Sequence, residues 1–97
     1  MSDSSLPQIF EPISQVLAQL TTTKEVFAFC RDLMSESEMQ EFARRFAVAQ
    51  MLADGRSYVE IEAQTGMSST TIARVSKYLK WSYGGYRQAL GISKKLS

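Results

Sequence analysis

Residues Gly55–Leu79 read GRSYVEIEAQTGMSSTTIARVSKYL. This stretch decides the fold, because its local signals spell two short helices joined by a tight turn, a helix-turn-helix. Ser57 followed by Glu60 is a capping box, so the first helix is expected to start near Tyr58. Gly66 stands where that helix has to stop, and glycine readily adopts the left-handed conformation of such a stop. Ser68 can cap a second helix, whose apolar Ile72, Val75 and Leu79 recur at helical spacing and face inward. Ser69, Thr70, Thr71, Arg74 and Lys77 are left on the outside. Small hydroxyl groups on a first turn, with cations along the flank, suit an element that enters a DNA major groove N-terminus first. Ser68, Ser69, Thr70 and Thr71 would then lie at base edges, with Arg56, Arg74, Lys77 and Lys80 on phosphates. A plain helical hairpin explains the same local signals without nucleic acid. Glu62 also departs from the DNA-binding pattern: it follows Ile61 where a small residue is expected for close packing, and Ala63 comes one place late.

Upstream, capping boxes recur. Thr22 with Glu25 opens a helix carrying Val26, Phe27, Phe29, Cys30, Leu33 and Met34. Ser35 with Glu38 opens the longest helix, expected from about Glu36 to Asp54 with Gly55 as its stop. Met39, Phe42, Phe46 and Ala49 form one apolar row on it, and Ala43, Ala47, Met51 and Leu52 a second. A helix apolar on two sides is a central one, covered by other helices. Before these, Pro12 suits a first helical turn, giving a helix with Ile13, Val16, Leu17 and Leu20 on one face. Residues 1–10 are expected to be a flexible N-terminus and 92–97 a loose tail holding Lys94 and Lys95. Between them, residues 11–91 form one helical domain, with dimerisation helices over 11–54 and the helix-turn-helix over 57–80. Three N-terminal helices this apolar exceed what a compact monomer covers, which points to a homodimer packed across a two-fold axis. Beyond Leu79, Trp81, Tyr83 and Tyr86 flank a glycine pair, ahead of a short helix from Tyr86 to Leu90. They read as a cover for the core rather than a base-stacking platform.

The 97 residues suffice for one domain with a modest core, and 44% hydrophobic with 22% charged residues is a soluble globular composition. No run approaches the ~18 apolar residues of a membrane span, and no signal peptide opens the chain, so a cytoplasmic protein is expected. A lone cysteine and the absence of histidine argue against a zinc site, a cofactor-bearing metal centre or histidine-based catalysis. The chain is not read as an enzyme. Net charge is only +1, but its distribution is uneven. Residues 1–43 hold two Lys/Arg against seven Asp/Glu, and residues 44–97 hold nine against three, so the halves carry −5 and +6. The basic half is the half with the helix-turn-helix, as a phosphate-binding surface requires.

The stretch ARRFAVAQMLADG (Ala43–Gly55), the helix-turn-helix with its Thr71-Ile72-Ala73-Arg74 run, and KYLKW (Lys77–Trp81) together resemble the Trp repressor family. The likeness extends from about Ile13 to Leu90 and is greatest to the YerC/YecD-type branch. It implies an all-α domain of about six helices, an intertwined homodimer, and a second helix-turn-helix element that reads double-stranded DNA. In the ligand-responsive member of that family two arginines flank an amino-acid corepressor, and Arg45 and Arg74 occupy the matching positions. Guanidinium groups there suit an effector carboxylate. Val75 stands where that pocket has glycine, Tyr78 where it has serine, and the turn region between Gly55 and Gly66 is one residue shorter. These departures disfavour tryptophan and leave open another small-molecule corepressor. The alternative function is a helical protein–protein adaptor using the same hairpin, with Glu60 and Glu62 in a mixed-charge contact surface.

Overall fold

The computed structural model describes residues 5–81 and 83–91; residues 1–4 and the tail 92–97 with Lys94 and Lys95 lie outside them, whereas residues 6–10 of the N-terminus expected to be flexible over 1–10 are helical. Among the described residues six helices follow one another: α1 (Leu6–Gln19), α2 (Thr23–Leu33), α3 (Glu36–Ala53), α4 (Tyr58–Thr65), α5 (Ser69–Trp81) and α6 (Gly85–Ala89). No strand occurs among the described residues. The chain divides into two compact units at Met39/Gln40, within α3.

In the first unit, the start of α1 corrects the sequence reading. The helix begins at Leu6, with Pro7 in its first turn and Pro12 in its interior. Either proline can occupy a first turn, where its missing N–H is no loss. Starting at Leu6 adds Leu6, Ile9 and Phe10 to the face of Ile13 and Leu17, at the cost of one internal hydrogen bond at Pro12. The capping boxes form as expected. Thr22 Oγ1 accepts from the Glu25 N–H at 3.1 Å while the Thr22 N–H donates to Glu25 Oε1 at 3.2 Å. Ser35 and Glu38 repeat the exchange at the start of α3, at 3.2 and 2.8 Å. No side chain from Ser5 to Met39 is buried. Phe27 is 60% exposed, and Leu6, Ile9 and Leu33 each keep about half their surface. Leu20, Val26, Phe27, Cys30 and Met39 line an open apolar recess.

The second unit holds the core. Val48 and Ala49 of α3, Ile61 of α4, and Ile72 and Val75 of α5 form one buried cluster, flanked by Met51, Leu52, Met67, Tyr86 and Leu90. Val48 belongs to neither apolar row read from the sequence, yet it is wholly buried, whereas Phe42 and Phe46 of the first row remain exposed. Burial on α3 follows the side where α4 and α5 pack, taking Val48 with Ala49 of the first row, flanked by Met51 and Leu52 of the second. At its C-terminus the Arg56 N–H donates to the Met51 carbonyl and the Gly55 N–H to that of Leu52, each at 3.0 Å, the bond pair of a Schellman motif.

Candidate nucleic-acid interface

The α4–α5 hairpin is built by its local chemistry. Ser57 Oγ accepts from the Glu60 N–H at 3.2 Å, and the Ser57 N–H donates to Glu60 Oε1 at 3.0 Å, so α4 starts at Tyr58. Gly66 ends it with φ 74° and its N–H on the Glu62 carbonyl at 2.9 Å, a geometry that a Cβ would strain. Thr65 stitches the turn: its Oγ1 donates to the Ile61 carbonyl at 2.7 Å and accepts from the Met67 N–H at 3.2 Å. Ser68 Oγ then accepts from the Thr71 N–H at 3.2 Å and caps α5. Half-buried Glu62 is tolerated at the position where a small residue was expected, and Ala63 is exposed, so it does not substitute for one.

Ile72, Val75 and Leu79 are buried, as their spacing predicts, and α5 therefore presents its opposite side to solvent. Thr70, Arg74 and Lys77 form an exposed stripe at positions i, i+4 and i+7. Arg74 and Lys77 make no ion pair among the described residues. Ser69 is exposed beside Thr70. The other two predicted base-reading hydroxyls are engaged: Ser68 Oγ donates to Thr71 Oγ1 at 3.2 Å, and Thr71 is half-buried.

The remaining predicted cations are distributed differently. Arg56 pairs with Glu60 at 3.7 Å, which occupies the guanidinium at the start of α4. Lys80 is exposed, with Nζ 5.8 Å from the centre of the Trp81 ring. Arg45 pairs with Glu41 at 3.3 Å, lies over the Phe42 ring at 6.0 Å and lines an open recess with Phe42, Phe46 and Tyr86. Arg74 is not part of that recess. Val75 turns into the core and Tyr78 is about half exposed, so only Val75 takes up interior space.

Two features escaped the sequence reading. Trp81 and Tyr83, expected to cover the core, are 75% and 95% exposed, and only Tyr86 of the three packs against it. The reason is the turn: α5 runs on to Trp81, and Gly84, at φ 86°, redirects the chain into α6 so that Tyr86 reaches the core. The second is Arg87, whose Nη1 donates to the carbonyls of Leu79 at 2.9 Å and Lys80 at 2.7 Å, satisfying the end of α5. An arginine shortly after a helix end is the signal that could have marked it. The chain is also without Asp or Glu after Glu62, so every ionisable group on or beyond α5 that carries charge at neutral pH is cationic, the C-terminus apart.

Residues 8–94 match the family model of the Trp repressor protein. The uncharacterized protein YerC of Bacillus subtilis (strain 168) is 38% identical over 85 residues, which span 88% of this chain and 78% of that protein. Two crystal structures share the fold at 31% identity and cover 93% of this chain. One, a TrpR-like protein from Eubacterium eligens, has a TM-score of 0.81 with 96% of its chain covered. The other, a candidate Trp repressor from Staphylococcus aureus, has a TM-score of 0.74 with 86% covered.

Proposed function

The chain belongs to the Trp repressor family, and from that premise we propose that it is a sequence-specific, DNA-binding transcriptional regulator of the repressor type. It works in the cytoplasm as a homodimer whose two α5 helices enter successive major grooves, one helical turn apart. The observation that carries this reading is the exposed stripe Thr70–Arg74–Lys77, set opposite a buried face in a region that lacks acidic residues. Ser69 and Thr70 read base edges, a threonine methyl being able to meet the methyl of thymine. Arg74, Lys77 and Lys80 hold phosphates, with Arg56 joining them when it leaves Glu60. Ser68 and Thr71 contribute chiefly by fixing the start of the helix. The dimer is supported by the first unit, where exposed Phe27 and Leu33 leave apolar surface for a second copy. Arg45 and Arg74 remain the groups suited to an effector carboxylate, and Val75 and Tyr78 beside Arg74 disfavour tryptophan as that effector.

Retention of a fluorescently labelled, mixed-sequence duplex across a salt titration tests the assignment. Binding should fall steeply with salt, and Lys77→Ala should weaken it evenly across sequences while lowering the slope by about 0.9. Thr70→Ala should instead change preference at one or two base pairs in a selection from random duplexes. If the protein ignores duplex DNA at low salt, the reading fails and the adaptor function takes its place.

A further inference from the structure

The stripe on α5 does not end at Lys77. Trp81 stands four residues further on the same side, opposite Ile72, Val75 and Leu79. With Lys77, Tyr78 and Tyr83 it lines an open recess of about 380 Å³. An indole left 75% in water beside a second ring left 95% in water is a surface made to be covered. Charge selects what covers it. Lys77 lines the recess with Trp81, Lys80 holds its Nζ 5.8 Å from the indole ring, the Arg87 guanidinium sits at the end of α5, and no carboxylate side chain follows Glu62. The matching occupant is apolar between anionic groups. A DNA backbone strand fits that description, with deoxyribose between phosphates.

We propose that Trp81, with Tyr83, is a shoulder of the recognition helix that packs on the sugar edge of the DNA backbone beside each half-site, while Lys77 and Lys80 hold the adjoining phosphates. This inference rests on the DNA-binding reading above. The distances are compatible. Trp81 lies eleven residues beyond Thr70, a rise of about 16 Å along the helix. The major groove is about 8.5 Å deep. With the first turn of α5 at the groove floor and the helix inclined to that floor by about 30°, the ring is raised by about 8 Å, to the level of the phosphate walls rather than among the bases. The shoulder adds affinity without base preference and without a share in the salt dependence.

Trp81 is the one tryptophan of the chain, so its emission reports on this position alone. The wild-type protein is titrated with a labelled mixed-sequence duplex at low salt, following duplex anisotropy, tryptophan emission and acrylamide quenching together. Emission should change and acrylamide access should fall over the same concentrations at which anisotropy rises. Trp81→Ala should bind about five- to tenfold more weakly with an unchanged salt slope, a non-ionic loss, and Trp81→Phe should restore most of it. If anisotropy rises while Trp81 emission and accessibility stay constant, the shoulder is refuted and DNA binding stands. If anisotropy never rises, both fall. If Trp81 is already shielded in the free protein and becomes accessible on dilution, a second copy of the chain covers it and the proposal is overturned.

Discussion

Replacing Arg87 with methionine should loosen the end of the recognition helix. The side chain is half-buried, and its Nη1 serves the carbonyls of Leu79 at 2.9 Å and Lys80 at 2.7 Å. Methionine keeps the methylene stem and removes both bonds. A hydrogen bond to a charged group contributes about 1.5–3 kcal/mol, and a cation at a helix C-terminus about 0.3–1 kcal/mol. One donor atom serves both carbonyls, and the Lys80 contact is exposed, so the lower end of that range applies. A loss of about 1.5–2 kcal/mol lowers Tm by about 6–16 °C in a domain of this size. Thermal melts followed by circular dichroism, at fixed protein concentration because assembly shifts Tm, read this directly. Gly84→Ala provides the internal control. Gly84 sits at φ +86°, and an added Cβ would approach Arg87 Nη2 to 3.3 Å. Alone, the substitution costs about 1–2 kcal/mol for the left-handed backbone, plus whatever it takes to displace the guanidinium. In the Arg87→Met background that second component disappears, so the double variant should lose less than the two single losses combined. A variant without Arg87 that melts with the wild type, or strict additivity with Gly84→Ala, would refute the capping role.

Ile72→Ala empties the centre of the cluster formed with Val48, Ala49, Ile61 and Val75 and should cost about 2–5 kcal/mol in urea unfolding. A loss no larger than that of a surface substitution would contradict the packing. Acid stability follows from two carboxylates. Glu25 is held below the ordinary value of 4.5 by the Thr21 and Thr22 backbone N–H groups, and Glu60 by the backbone N–H and hydroxyl of Ser57, with Arg56 adding to it. The unfolded chain therefore takes up these protons first. The stabilisation is present above about 4.5 and is lost as pH falls through the depressed folded values. Replacing both with glutamine should flatten the acid limb of Tm against pH, and an unchanged limb would remove these caps from the account.

What could be read from the sequence shares one property: its causes lie within a few residues. Ser57 with Glu60, Thr22 with Glu25 and Ser35 with Glu38 start helices through bonds to neighbours three positions away. Gly66 stops one through its own backbone freedom, and Ile72, Val75 and Leu79 share a face by helical geometry alone. Helix count, helix-turn-helix and the inward side of α5 were therefore legible. So was the candidate site in outline, since the outside of α5 is what the buried face leaves over.

Tertiary structure decided every choice between options that were equal locally. Two prolines fit a first turn, and the longer apolar face of α1 fell to the earlier one. Two apolar rows marked α3 as central, yet full burial went to Val48, outside both rows, together with Ala49 of the first, because α4 and α5 pack there. Three aromatics follow α5, and only Tyr86 reaches the core, because the turn at Gly84 points α6 inward and leaves Trp81 and Tyr83 in solvent. Thr71 looked as free as Thr70 until the cap at Ser68 took its hydroxyl. Sequence by itself determined where helices begin, end and turn their apolar sides, since those are short-range hydrogen bonds and periodicities. Which side chains are covered depends on what packs against them, and that is information no single helix contains.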